Sequence, residues 1–239
     1  MKKVLILNVV LFMLLAACDK KGGSDKPETF SHLETLKVES DKDKGASSDV
    51  MIYYDKSITT VLDEKLSEND PLYSEPTPDD HKLIRTKINS GSSEEYMILF
   101  SFGVSLDPHF RIYHNDKHIG SVSGWELYVP GNGFLYTRGH TNNMFNQRRK
   151  FRFSGNSITE VKQPAYYVGL NSTTTKAIKI FSNKSLNNVL AELPSGTEVE
   201  VLVNEGPYFL VKTPFGLAGW IKPEPMEDSG IEGFYYAGD

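Results

Sequence analysis

VLAELPSGTEVEVLVNEGPYFLVKTPFGLAGWI, residues 189–221, is the stretch on which the fold reading rests. Within it Glu198-Val199-Glu200-Val201-Leu202-Val203 alternates acidic and apolar, the period of a strand with one buried face. Pro194-Ser195-Gly196 before it and Asn204-Glu205-Gly206-Pro207 after it are turn chemistry. Residues 208–213 form a second β-rich run that stops at Pro214. Pro214-Phe215-Gly216 reverses the chain, and residues 217–221 are a third run. Three short strands with tight turns inside about 35 residues predict a small barrel or meander. One core is expected, with Val199, Val201 and Val203 facing Phe209, Val211 and Ile221.

The order of Leu193, Gly196, Val199, Val201 and Leu202, then Tyr208, Phe209 and Val211, then Gly216 and a closing Gly219-Trp220-Ile221, resembles that of bacterial SH3-like domains. The resemblance covers residues 165–225. It departs at the first strand: the family usually opens on a Leu-Asn-Val-Arg-like strand followed by Gly-Pro, whereas this chain reads Ile178-Lys179-Ile180-Phe181-Ser182-Asn183. A family ligand site on that first loop is therefore not carried over. The resemblance implies an SH3-like barrel over residues 164–225. Such domains are commonly modules that bind cell-wall material or peptides. Tyr208, Phe215 and Trp220 are then the candidate ligand-binding residues. The alternative is that Trp220 packs the barrel and Tyr208 covers its rim.

At the other end, Lys2 and Lys3 precede residues 4–15, which are apolar except for Asn8, and the run closes on Leu15-Ala16-Ala17-Cys18. It is too short to span a bilayer and ends in small residues, so it reads as a secretory signal. The Leu-Ala-Ala-Cys closure resembles the lipobox of bacterial lipoproteins. That resemblance implies a signal peptide over residues 1–17, removal before Cys18, a diacylglyceryl group on the Cys18 thiol, and an acylated new N-terminus carrying a chain such as palmitate. Cys18 is the only cysteine in the chain, so no internal disulfide exists and a lipid accounts for it. Two or three acyl chains anchor far more firmly than one. The expected address is the bacterial cell envelope, lipid-anchored to a membrane and facing the periplasm or the cell surface. Asp19 matches the inner-membrane retention pattern of enteric lipoproteins; other bacteria sort differently, so either membrane fits. Residues 18–48 carry six Lys against seven Asp and Glu and little apolar periodicity, which predicts a flexible linker, the alternative being one or two helical turns over residues 30–38.

Residues 49–163 alternate β-rich runs with turn signals: Asn115-Asp116, Pro130-Gly131-Asn132-Gly133 and Gly155-Asn156. Successive hairpins of this kind predict an antiparallel β-meander domain, a sandwich or a partial barrel, long enough for its own core. The whole chain is thus expected to be all-β. Charge is uneven: residues 49–95 carry eleven acids and five bases, residues 96–163 four acids and eight bases. The basic excess centres on Arg148-Arg149-Lys150-Phe151-Arg152. The chain as a whole is acidic, at −5, so nucleic acid is not an expected partner. The cluster reads instead as a strand with Phe151 and Phe153 inward and Arg152 outward. Residues 226–239 form an acidic tail ending in Phe234-Tyr235-Tyr236, whose aromatics are expected to dock on the meander or between the two domains.

Chemistry-bearing patterns are sparse. His114 and His118 flank a turn without a Cys or a compact His/Glu cluster to complete a metal site. No Gly-x-Ser-x-Gly elbow and no phosphate-cradling glycine loop occur. Residues 138–143, Arg-Gly-His-Thr-Asn-Asn, read as a turn or a binding loop. No catalytic residue, metal or cofactor is therefore expected. The expected function is a non-catalytic binding module for cell-wall peptide or glycan or for a protein partner. The alternatives are a structural or assembly subunit of an envelope complex and, less well supported, a cell-wall hydrolase.

Overall fold

The structure, a computed structural model, describes residues 27–39, 49–67, 69, 70, 72, 80–102 and 107–238. The expected signal peptide and Cys18 lie outside the described residues. Among those described, no helix is long and apolar enough to cross a membrane. The strands run β1 (Glu34–Val38), β2 (Val50–Tyr54), β3 (Thr59–Lys65), β4 (His81–Thr86), β5 (Tyr96–Ser101), β6 (His109–His114), β7 (Lys117–Ser123), β8 (Glu126–Val129) and β9 (Phe134–Gly139). They continue as β10 (Gln147–Ser154), β11 (Ser157–Glu160), β12 (Tyr166–Thr173), β13 (Ile178–Phe181), β14 (Val189–Leu193), β15 (Glu198–Glu205), β16 (Tyr208–Lys212) and β17 (Ala218–Ile221). The protein is all-β, built on three sheets.

The first sheet has the order β1-β2-β8-β9-β10-β11 and the second the order β3-β4-β5-β6-β7. They face each other across one core, in which Ile52, Leu127 and Leu135 from the first meet Ile98, Phe110 and Ile112 from the second, all fully buried. This part of the chain is a sandwich. The turn between β6 and β7 is built as its sequence predicts: Asn115 and Asp116 both take positive φ, 49° and 59°, the requirement of a tight hairpin turn. Two features depart from expectation. The sandwich is not a plain antiparallel meander, because β2 pairs with β8 in parallel, Ile52 opposite Leu127. A parallel pair needs a long crossover, and the whole second sheet supplies it. The expected flexible linker is also shorter than the sequence suggests. A 3-10 turn at Glu28–Phe30 leads into β1, which zips onto β2 with Leu36 opposite Ile52. Leu33 is buried against Tyr53 and Tyr128, and Leu36 and Val38 pack on the main core. A few apolar side chains at strand spacing outweigh the charged residues around them, whose heads stay in water.

The third sheet has the order β12-β15-β16-β17-β13-β14 and surrounds a core of its own, centred on Ile180, Val201, Phe209, Val211 and Ile221. At one corner its two edges meet: the amide of Thr174, just past β12, donates to Thr197 O at 2.9 Å, and its hydroxyl donates to Pro194 O at 2.6 Å beside the end of β14. Val199 and Val201 point inward as the alternation predicts, but Val203 does not. The pairing of β15 with β16 shifts between Val201 and Val203, so that Asn204 rather than Val203 comes opposite Phe209. A bulge of this kind moves every later side chain to the other face. Asn204 is buried there, and its amide donates to Gly206 O at 2.8 Å, tying down the turn that follows.

This core is not confined to residues 164–225. Met144 and Phe145, from the loop between β9 and β10, are buried in it, as are Ile231 and Phe234 from the tail. Phe209 makes edge contacts with Phe145 at 6.0 Å and with Phe234 at 4.8 Å between ring centroids. The tail thus docks where the two units meet, and it does so as core rather than as an added strand.

In the closing Gly219-Trp220-Ile221, a Cβ on Gly219 would lie 2.8 Å from Cβ of Ile180, itself fully buried. Glycine is what lets β17 approach β13. Gly219→Ala is expected to destabilise the protein by about 1–3 kcal/mol through this overpacking, measurable in urea unfolding.

Candidate binding cleft

Strands β8, β9 and β10 present alternate residues to the outer face of the first sheet. Glu126 lies opposite Arg138 and Tyr128 opposite Tyr136, while Arg138 lies opposite Arg148 and Tyr136 opposite Lys150. Strand alternation therefore lays down an aromatic row beside a basic one. The ordered N-terminal segment crosses this face. Phe30 sits 4.9 Å from Tyr128 and 5.2 Å from Tyr136, centroid to centroid, and Tyr128 stacks on Tyr53 at 4.6 Å. Between that segment and the chain after β11 lies a cleft of about 540 Å³, with Phe30, Tyr136, Arg148, Lys150 and Val161 among its walls. Its volume is that of an ordinary small-ligand site.

The charges of the cleft are held in defined places. Glu126 is buried and accepts hydrogen bonds from Tyr128 Oη at 2.5 Å and from Arg138 Nη1 at 3.1 Å, so its charge is balanced within the wall. Burial first, and then the bond to Glu126, pushes the Tyr128 phenol far above its ordinary pKa, so it stays a donor. Arg149 turns away from the cleft's mouth and donates through Nη2 to Ser123 O at 2.6 Å across the sandwich. Burial lowers its pKa. Lys150 Nζ rests 3.6 Å from the centroid of Phe134, and the Arg148 guanidinium lies 5.7 Å from that of Tyr167. Contacts of this kind hold a cation over a ring face without neutralising it. Nearby, burial alone would raise the Glu160 carboxyl, but hydrogen bonds from Tyr166 and Lys162 hold it below its ordinary range. Tyr166 belongs to β12, so this bond also links the two units.

A second crevice, of about 250 Å³, lies at the junction of the units. It shares Arg138 and Arg148 with the cleft and runs on past His140 to Gly233. The loop after β9 holds the tail there: His140 Nε2 bonds to Tyr235 O at 2.9 Å, and the Ala237 amide donates to Asn143 O at 3.0 Å. Residues 138–143 form the turn the sequence predicts, with Asn143 Oδ1 capping the Phe145 amide at 2.9 Å, and the same turn holds the tail.

Tyr208, Phe215 and Trp220 are not brought together. Tyr208 opens β16, opposite Glu205, whereas Phe215 sits in the turn at the other end of that hairpin, 89% exposed. Trp220 pairs with Leu210 across the strands and is half-buried on the outer face, opposite the core residues Phe209, Val211 and Ile221. Lys184 Nζ covers its ring at 4.5 Å. Trp220 is therefore not part of the core of the third sheet. Neither cavity above includes any of the three. The basic cluster keeps Phe151 and Phe153 inward, as expected. What sequence reasoning missed is that Arg148 and Lys150 face the same way as Tyr136. The period-2 alternation of residues 134–138 and 148–152 carried that signal, but the pairing register was needed to join them.

His114 and His118 face opposite sides of their hairpin, one stacked on Tyr96 at 4.8 Å and the other tilted against Tyr113 at 5.3 Å. Among the described residues, no group of three or more His, Cys, Asp or Glu is placed to hold a metal ion. Comparison with protein families, with curated proteins and with solved structures gives no match for this chain.

Proposed function

We propose that this chain is a lipid-anchored, non-catalytic binding module of the bacterial envelope, taking cell-wall glycan or peptide. The observation that carries the reading is the cleft on β8–β10, with its aromatic wall and the two cations Arg148 and Lys150, which no carboxylate among the described residues pairs. The N-terminal pattern ending at Cys18 supports the envelope address, and the third sheet, with β15, β16 and β17 as consecutive hairpins, supports an SH3-like second unit. Residues 19–26 are all that separate Cys18 from Pro27 at the cleft wall, so the tether reaches at most about 30 Å when fully extended. The module therefore works close to the membrane that anchors it.

Sedimentation with purified peptidoglycan tests this. Wild type is expected to co-sediment, Tyr136→Ala with Lys150→Ala to lose binding by about tenfold or more, and Tyr208→Ala with Trp220→Ala to retain it. No retention of the wild type would refute the wall reading. A second reading, an assembly subunit, is favoured by the exposed Phe215 and by the exposed Val189 and Leu190 on edge strand β14. Capture of an envelope protein through that edge, with the cleft variants silent, would mark it.

A further inference from the structure

We infer that the ligand of the cleft is an acidic saccharide, with its ring against Phe30 and Tyr136 and its carboxylate between Lys150 and Arg148. This rests on the cleft being the module's binding site. Among the described residues the lining includes Arg138, Arg148, Arg149 and Lys150 and no Asp or Glu. Two of these cations are already engaged, Arg138 by Glu126 and Arg149 by Ser123 O. The other two rest on ring faces, Arg148 near Tyr167 and Lys150 over Phe134. Among the described residues no carboxylate pairs with either, although acids outnumber bases in the chain as a whole. Their positions are set by neighbours rather than left to a free side chain: Lys150 over Phe134, Arg148 near Tyr167. A fixed cation loses little freedom when a carboxylate arrives, and such charge-assisted bonds are the strong ones.

The aromatic wall selects the rest of the ligand. Phe30 and Tyr136 are half-buried, so each shows part of a ring to the cleft rather than a free edge to solvent. Flat apolar surface beside fixed polar groups suits a pyranose, which has an apolar face and a hydroxyl rim. The Tyr136 hydroxyl already accepts a bond from Asn132 Nδ2 at 3.1 Å and still has its own proton to donate. Arg148 also borders the crevice at the junction of the units, so a chain longer than the cleft continues past it toward Gly233.

The test is a titration of the full chain in detergent micelles with two soluble probes of equal length. One is a wall glycan strand stripped of its stem peptides, whose muramic acid residues then carry a free lactyl carboxylate; the other is a chitooligosaccharide, the same N-acetylhexosamine backbone without it. The strand is expected to bind about tenfold tighter than the chitooligosaccharide. Arg148→Gln with Lys150→Gln should remove that advantage, so that the two probes bind this variant equally. Equal affinity of the two probes for wild type overturns the charge assignment while leaving a neutral glycan-binding module standing. Binding of neither overturns the wall reading as well. Equal binding of an oligothymidylate at the same salt makes the cleft a general polyanion groove and overturns the saccharide assignment. The wild-type comparison decides the matter even where a variant folds poorly.

Discussion

Phe234→Ala is expected to remove about 3–5 kcal/mol of stability and to lower the melting temperature by on the order of 10 °C. The position lies six residues from the C-terminus in a tail rich in Gly and acids, where substitutions ordinarily do little. Its ring, however, is only 1% exposed and meets Phe209 edge-on at 4.8 Å, while Phe145 approaches Phe209 at 6.0 Å. Removing it opens a cavity in a core that three separated stretches of chain assemble, and the neighbours cannot all collapse into it. The backbone keeps the tail from following, since the Phe234 carbonyl accepts a hydrogen bond from Ser229 and its amide donates to Ile231 O at 3.2 Å. Tyr235→Ala is the control. That side chain is 58% exposed; its ring lies tilted against His140 at 5.0 Å, but the hydrogen bond to His140 runs from its carbonyl and survives truncation, so a change within about 1 kcal/mol is expected. Phe234→Leu should recover most of the loss. Thermal melts of the three variants check this. A Phe234→Ala melt that matches Tyr235→Ala would mean the tail is not core.

These contrasts show which parts of the protein its sequence displays. The alternation over residues 198–203 and the turns around it set strands β15 to β17 almost where they lie, because each depends on neighbours within one hairpin. The bulge that buries Asn204 was not legible, because nothing local distinguishes Val203 inward from Val203 outward until β16 fixes the register. The parallel joining of β2 to β8 was hidden for the same reason on a larger scale: every local signal between them points to hairpins, and all of those hairpins are the crossover. Strand β1 escaped notice because Leu33, Leu36 and Val38 are scattered among charges, and their burial is decided by Tyr53 and Ile52 on the next strand. Of the candidate site, the basic cluster and the aromatics were each visible. Their meeting on one face depends on the pairing of Tyr136 with Lys150, a contact between strands that sequence spacing does not encode. Tyr208 and Trp220 read as candidates from their residue type alone, yet their own register turns them away from the core and from Phe215.

Breaking the ion pair between Asp80 and Arg111 is expected to be as damaging as emptying the second core. Asp80 precedes β4 and is 1% exposed; Arg111 lies on β6, its side chain 15% exposed, and donates through Nη2 to Asp80 Oδ2. The pair lies on the outer face of the second sheet, where Leu66 and Leu72 cover Leu99 and Tyr113. The Leu66 amide donates to Asp80 O at 2.8 Å, and Lys82 pairs with Asp70 beside it. The two ion pairs therefore pin that cover to the sheet. A surface pair would be worth under about 1 kcal/mol, but a buried one leaves a stranded charge when one partner goes. Arg111→Met should cost up to about 3–5 kcal/mol in urea unfolding, because the buried Asp80 carboxylate loses the guanidinium that pairs with it. Adding Asp80→Leu to Arg111→Met should regain much of that, since two apolar groups strand no charge, and the cycle of four proteins should give a coupling of about 1–3 kcal/mol. Single-variant costs below about 1 kcal/mol, with additive behaviour in the double, would instead class the pair with the exposed bridges such as Lys56 to Glu34. An unchanged m-value across the set would place the whole effect in the native pair rather than in the unfolded chain.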